Sequence, residues 1–181
     1  MLKNASALMF FAACISSYAA TPTIDVLPGE YNLTSSTTAP VGNWVYSKAH
    51  VSVRKLDERH VVILFACEWK RNPKAACDDY YFAQWRDGGL YLQDMNTDAL
   101  RIYFDPSTRA LTMISRAVDA KESVRRDVFS PVGNAPDDAT LARRLKRSEK
   151  SYVHPENLRV FGPYSKWKYD NNRIEFQNAT P

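Results

Sequence analysis

The chain of 181 residues is poor in the residues on which common catalytic motifs depend, with six glycines, three cysteines and three histidines. No serine lies in a G-x-S-x-G motif, and no glycine-rich loop could hold a phosphate group. The paired histidines of H-E-x-x-H are also missing. These absences argue against serine hydrolases, nucleotide-using enzymes and zinc peptidases. We therefore predict no catalytic residues, no metal site and no cofactor.

Long apolar runs are missing as well. The segment from Ala5 to Ile15 is far shorter than the ~20 residues that a transmembrane helix needs. The longest later run, Val61 to Cys67, has only the length of a strand. We therefore expect no transmembrane anchor.

The N-terminal segment has the layout of a secretory signal peptide. Lys3 supplies the positive charge, an apolar core follows, and Ser17-Tyr18-Ala19 provides a small-x-small exit. We predict a signal peptide over residues 1–19 and a periplasmic or secreted protein. In the alternative, the sequence around Cys14 acts as a lipobox, and the protein is lipid-anchored through that cysteine.

The remaining chain has the size of one domain, and its formal net charge is mild, +4 for the whole sequence. A nucleic-acid partner is not expected at such a charge. In an exported protein, Cys67 and Cys77 form the natural disulfide pair. Two thiolates alone would leave a zinc shell incomplete, which makes a metal site the weaker interpretation.

The pattern of residues predicts a mainly β fold. We expect an extended lead-in or linker over 20–41, followed by a single β-rich domain over 42–181. Apolar and polar residues alternate, and turn residues such as Asp87-Gly88 separate the apolar segments. This predicts an antiparallel meander that forms a small barrel or a strongly curved sheet. The six predicted strands of the meander are 45–54, 60–69, 80–85, 90–93, 100–104 and 110–115.

One α-helix is predicted in the C-terminal half, at about 137–149. Two aspartates suit its N-terminus, and Leu141 and Leu145 would form its apolar face. Residues 116–135 could be a short helix or a charged loop. Three further β segments are predicted at 158–161, 165–169 and 173–177.

Gly42-Asn43-Trp44 opens the predicted meander and resembles the G-x-W motif that begins the first strand of lipocalins. The resemblance implies an eight-stranded barrel with an apolar cup. The later strands contain no T-D-Y-type motif, and the predicted disulfide is local, so the chain departs from the lipocalin pattern in both respects.

Two surfaces are candidate binding sites. The first is the disulfide loop, where an aromatic residue adjoins positive charges; its candidate residues are Trp69, Lys70, Arg71 and Lys74. The second is a basic patch on the predicted helix, formed by Arg143, Arg144, Lys146 and Arg147. A plain hairpin connection and a solvated helix face are the respective structural alternatives.

These features favour a non-catalytic binding protein of the cell envelope. The leading hypothesis is an inhibitor-like or immunity-like protein that binds another protein, with an acidic partner as one option. The alternative is a lipocalin-like carrier of a small apolar ligand. A secreted hydrolase, with its site near His50, His60 or an aspartate pair, is the third.

Overall fold

The computed structural model describes residues 23–86, 90–93, 98–117 and 123–157. In this part of the chain, eight antiparallel strands follow one another around a closed barrel. The strands are β1 Gly29–Ala39, β2 Tyr46–Lys55, β3 His60–Trp69, β4 Asp78–Arg86, β5 Leu90–Gln93, β6 Asp98–Asp105, β7 Ala110–Ala117 and β8 Val124–Val132. The predicted meander and its barrel are confirmed. The predicted signal peptide, the lipobox cysteine and the three C-terminal β segments lie outside the described residues.

The predicted lead-in or linker over 20–41 contains a strand over half of its length. Gly29–Ala39 forms β1, which pairs with β2 on one side and with β8 on the other. The serines and threonines suggested a flexible segment, yet threonine suits a strand because its β-branched side chain restricts the backbone. Thr34 also donates a hydrogen bond from Oγ1 to the carbonyl oxygen of Val128 at 3.0 Å.

The G-x-W motif does not begin the first strand, contrary to what the resemblance to lipocalins implied. The eight-stranded barrel matches what the resemblance implied, but Gly42-Asn43-Trp44 lies between β1 and β2 and begins neither strand. The segment 116–135 is corrected too, because Val124–Val132 forms β8 rather than a helix or loop. Arg125, Asp127 and Phe129 all point inward from β8, so charged residues occupy positions where alternation predicts apolar ones.

Apolar side chains fill the barrel and close one end of it. Phe65 and Phe129 pack edge to face, with ring centroids 6.2 Å apart, and both are buried. A short 3-10 helix, Ile24–Val26, lies across the closed end with Leu27 beside it. The fully buried Tyr31 donates a hydrogen bond from its hydroxyl to the carbonyl oxygen of Leu27 at 2.6 Å. This bond ties the closing segment to β1.

We expect Tyr31→Phe to lower the free energy of unfolding by about 1–2 kcal/mol, because the buried carbonyl oxygen of Leu27 loses its hydrogen-bond donor. Urea-induced unfolding, followed by tryptophan fluorescence, measures the loss. An unchanged midpoint would show that the Tyr31 hydroxyl does not hold the closing segment.

The predicted helix is confirmed as α1, Ala139–Tyr152, which packs on the outside of β2, β3 and β4. Leu141 and Leu145 contact Val62, Leu64 and Phe82 in a second apolar cluster, as the sequence pattern predicted. No helix among the described residues is long and apolar enough to span a bilayer.

Asp138 is the N-cap of α1 and accepts hydrogen bonds from the backbone N–H groups of Thr140 and Leu141. It also forms an ion pair with Lys48 of β2. The Lys48 ammonium, and after it the N–H of Leu141, lower the pKa of the Asp138 carboxyl. The cap therefore both starts the helix and ties it to the barrel wall.

We expect Asp138→Ala to reduce stability by about 1 kcal/mol at neutral pH, and Asp138→Asn to reduce it less, since asparagine also caps helices. A carboxyl whose pKa is lowered by folding stabilises the protein above its unfolded-state pKa, and this contribution is lost as the pH falls through the folded-state pKa. The difference between parent and variant should therefore shrink below about pH 4.

Urea unfolding at several pH values tests this expectation. The exposed neighbour Asp137 offers a matched control, because Asp137→Ala should change stability by less than about 0.5 kcal/mol. Equal losses from the two alanine variants would contradict the capping role of Asp138.

Candidate ligand-binding site

Among the described residues, the end of the barrel opposite the 3-10 helix contains two cavities, and we call it the open end. The inner cavity, of about 240 Å³, lies inside the barrel mouth; its lining includes Trp44, Tyr46, Trp69, Asp79, Ser115 and Arg125. The outer cleft, of about 720 Å³, lies beside it; its lining includes Pro40, Gly42, Trp44, Trp69, Arg71 and Asn72. Trp44 and Trp69 line both cavities, so the two form adjoining parts of one site.

Arg125 is a buried cation in the wall of the inner cavity, only 5% exposed. Its Nε donates to Oδ2 of Asp127 at 2.8 Å, and its Nη2 donates to the hydroxyl of Ser115 at 3.3 Å. Its Nη1 is buried and has no hydrogen-bond partner among the described residues. A buried donor without a partner costs free energy.

Three aromatic rings surround the Arg125 guanidinium. Its central carbon lies 4.2 Å from the ring centroids of both Trp44 and Tyr46, and 5.1 Å from that of Trp69. The rings also contact one another, with Trp69 4.5 Å from Tyr46 and 6.5 Å from Trp44. Cation–π attraction of this kind holds the guanidinium in one orientation where water is largely excluded.

Asp127 balances the charge of Arg125 within the barrel wall. It is 1% exposed, and its Oδ1 accepts a hydrogen bond from the hydroxyl of Ser36 in β1 at 2.6 Å. Burial raises the pKa of the Asp127 carboxyl, although Arg125 and the Ser36 hydrogen bond act in the opposite direction. The pair fixes the Nε side of the guanidinium and leaves Nη1 as the group without a partner.

Two adjacent aspartates begin β4, and their side chains lie in different surroundings. Asp78 accepts hydrogen bonds from Nε and Nη2 of Arg147, at 3.0 and 2.8 Å, on the outer face of the barrel. This contact lowers the pKa of the Asp78 carboxyl. Asp79 has the inward parity of Tyr81, and partial removal of water raises the pKa of its carboxyl. The two carboxylates therefore do not form an acid–base pair, in agreement with the alternation of side chains along a strand.

The predicted disulfide between Cys67 and Cys77 is present, with its Cα atoms 5.1 Å apart. The N–H of Cys67 also donates to the carbonyl oxygen of Cys77 at 2.8 Å. From α1, Arg144 reaches the same loop and donates to the carbonyl oxygens of Cys67, Pro73 and Ala75. The loop at the barrel mouth is thus held by a covalent bond and by a buried arginine.

The candidate binding loop divides into two parts. Trp69 is partly buried and belongs to the aromatic surroundings of Arg125. Lys70, Arg71 and Lys74 are exposed, and Arg71 lines the outer cleft. The structure therefore assigns the aromatic residue to the barrel interior and leaves the three cations at the surface.

Of the predicted basic patch on α1, three residues share one surface cavity, Arg143, Lys146 and Arg147, and Arg144 lies apart from them. Arg144 is 5% exposed and points toward the disulfide loop, and Arg147 forms the ion pair with Asp78. Arg143 and Lys146 remain exposed on the outer face. The helical pattern alone could not show this, because Arg144 lies next to Leu145 at the edge of the packed face and finds carbonyl oxygens there.

The histidines do not form a shared site. His50 pairs across the sheet with Ala66. It is fully buried, with Nδ1 2.7 Å from Oδ1 of Asn32 and Nε2 2.6 Å from Oε2 of Glu30. His60 contacts the Asp57 carboxylate instead. Among the described residues, no group of three or more potential metal ligands is found.

Sequence reasoning missed Arg125, Asp127 and Ser115 as site residues. Arg125 and Asp127 lie two positions apart in a segment that also carries outward-facing Arg126, so its charges suggested a solvated loop or helix. A usable signal was the i, i+2 spacing of Arg125, Asp127 and Phe129, which places all three on one face of a strand.

Comparison with known proteins gives a likeness of fold but no family. No family profile matches the sequence, and no curated protein matches it significantly. One similar solved structure is described as "The Siderocalin Ex-FABP functions through dual ligand specificities". It is 12% identical, with a TM-score of 0.43, and the match covers 69% of this chain and 87% of that one. A likeness this remote gives no information about the ligand.

We expect Arg125→Met to lower stability by about 3–5 kcal/mol, because it leaves the Asp127 carboxylate buried without its cation. Adding Asp127→Leu to this variant should restore much of the loss, since an apolar pair of similar size can replace a buried ion pair. Urea unfolding of the parent and both variants measures these changes. A double variant as unstable as the single one would show that the fold itself depends on the ion pair.

Proposed function

We propose that this protein is a non-catalytic carrier that binds a small ligand at the open end of its barrel. The ligand carries a hydrogen-bond acceptor, most simply a carboxylate, that accepts from Arg125. The observation that carries this proposal is Arg125, a buried cation that lines the inner cavity and whose Nη1 has no hydrogen-bond partner among the described residues. Arginine suits a planar acceptor because its N–H groups have a fixed geometry.

The shape of the interior limits the size of the ligand. Tyr31, Phe65 and Phe129 fill the barrel below the mouth, so a long apolar ligand has no path toward the closed end. The inner cavity, at about 240 Å³, lies just below the ~300–1,000 Å³ typical of small-molecule sites. A small polar head in the inner cavity, with any larger apolar part against Trp44 and Trp69 in the outer cleft, fits these dimensions.

An extracytoplasmic location agrees with this role. The disulfide between Cys67 and Cys77 is of a kind that persists in oxidising compartments. We therefore propose a periplasmic or secreted carrier, delivered by the predicted signal peptide over residues 1–19.

We expect the protein, purified gently from the envelope or medium of its own host, to retain a small molecule that native mass spectrometry detects as added mass. Arg125→Lys should lose this mass. Lysine keeps a positive charge near Asp127 but lacks the fixed N–H geometry of arginine. The exposed Arg143 on α1 provides the matched control, and Arg143→Lys should retain the ligand.

Absence of added mass in the parent protein would contradict the carrier function. A mass that persists in Arg125→Lys would place the ligand away from Arg125. Thermal unfolding of both lysine variants, without ligand, checks that a loss of binding does not arise from a loss of folding.

The structure also favours a second candidate function, which is binding to an acidic protein through the disulfide loop. Lys70, Arg71 and Lys74 are exposed on a loop whose backbone is held by the disulfide and by Arg144, and a rigid loop loses little entropy on binding. If this candidate is correct, the double variant Arg71→Ala, Lys74→Ala should lose a protein partner in co-purification. The carrier function predicts that the same variant keeps its small molecule.

A further inference from the structure

We propose that the ligand is a small zwitterion of the α-amino acid type, with its anionic group on Arg125 and its cationic group on Asp79. This inference rests on the proposed carrier function and specifies its ligand class. It arises because the inner cavity has a cationic wall with a donor in need of a partner and, separately, an acidic wall.

The barrel topology places these two groups on different walls. Arg125 lies on β8 and Asp79 on β4, and three strands separate β4 from β8 in either direction around the barrel. Both side chains point into the barrel at the open end. Arg125 lies on the same face of β8 as the buried Phe129, and Asp79 lies on the same face of β4 as the buried Tyr81. Because both line one cavity of only about 240 Å³, a single small molecule can contact the two charges together.

The charges of the cavity favour a zwitterion over a simple anion. Arg125 is already balanced by Asp127, with which it forms an ion pair at 2.8 Å. Asp79 accepts hydrogen bonds from the N–H of Tyr80, at 2.8 Å, and from the side chain of Tyr81. It forms no ion pair within the described part of the chain, so a ligand with only a negative charge would add to an existing excess of negative charge.

A cationic group beside Asp79 would also compensate electrostatically for the partial loss of water around this carboxyl. That loss, together with the nearby Asp78 carboxylate, raises the pKa of Asp79, whereas its bonds to Tyr80 and Tyr81 lower it. An ammonium group stabilises the ionised form of Asp79. Affinity for a zwitterion should therefore fall as the pH drops through the pKa of Asp79.

An apolar or aromatic side chain of the ligand fits beside the two poles. Tyr46, Phe65 and Tyr81 line the inner cavity, and Phe65 lies 5.4 Å from Tyr46 and 6.2 Å from Tyr81 between ring centroids. Their faces and edges offer stacking contacts to a ring of the ligand. The combination of one donor, one acceptor and several aromatic rings is the recognition chemistry expected for an apolar amino acid.

The test compares three probes that share one aromatic body: L-phenylalanine, 3-phenylpropanoate, which lacks the ammonium, and 2-phenylethylamine, which lacks the carboxylate. Binding is followed by the fluorescence of the tryptophans, since Trp44 and Trp69 line the site, and by isothermal titration calorimetry. We expect phenylalanine to bind at least about tenfold more tightly than either single-charge probe, since each lost pole removes a charge-assisted hydrogen bond.

Asp79→Asn provides the second arm. It should weaken the binding of phenylalanine by about tenfold or more, and it should leave the affinity for 3-phenylpropanoate unchanged or higher. It should also remove the loss of phenylalanine affinity at low pH. Asp137→Asn is the control, because the exposed Asp137 is not among the residues that line the inner cavity, and it should change the affinity of neither probe. The comparison of probes on the parent protein stands even if a variant folds poorly.

The outcomes separate this inference from the proposed function. If 3-phenylpropanoate binds the parent as tightly as phenylalanine does, and Asp79→Asn affects neither, the zwitterion is wrong while the carrier function stands. If phenylethylamine binds as tightly as phenylalanine and Arg125→Lys has no effect, the anionic pole is wrong. If none of the three probes binds, the zwitterion is wrong, and a mass retained from the host would still support the carrier.

Discussion

The pairing of β1 with β8 is the constraint on which the rest of the structure depends. It joins residues between 85 and 102 positions apart in the chain, from the pair Ala39 and Val124 to the pair Glu30 and Val132. By closing the sheet, it turns a meander with two exposed edges into a barrel with an inside. It also brings Ser36 against Asp127, which in turn orients Arg125. Without this pairing, neither the core nor the inner cavity would exist.

The two ends of the barrel bury different kinds of side chain. At the closed end, the 3-10 helix and Tyr31 complete an apolar core in which the Tyr31 hydroxyl has its acceptor. At the open end, the interior contains Arg125 and Asp127, and one nitrogen of Arg125 has no partner among the described residues. Buried ion pairs contribute little net stability compared with apolar packing. A charge retained there is better explained by binding than by stability.

Much of the fold was predictable from the sequence, whereas of the site only Trp69 and Arg71 were among the candidate binding residues of the sequence. Alternation and turn residues located the meander, and the two aspartates before Leu141 located α1, because both signals are local. Closure of the barrel was not predictable in the same way, since the Ser- and Thr-rich β1 carries a weak apolar pattern and its partner β8 is remote in sequence. The roles of Arg125 and Arg144 depend on contacts with distant residues. Only the folded chain shows that both arginines are buried.

The disulfide loop is restrained both by the disulfide and by Arg144, and this affects how the protein resists proteases outside the cytoplasm. Lys70, Arg71 and Lys74 are exposed. Proteases that cleave after basic residues act where the backbone of an exposed loop can open locally. The Cys67–Cys77 bond and the Arg144 hydrogen bonds restrain the backbone on both sides of these residues. Cleavage therefore requires a larger local unfolding than an ordinary surface loop would need. Arg144, which the sequence presents as one more basic residue on a helix, thus raises the cost of opening the loop that carries these exposed basic residues.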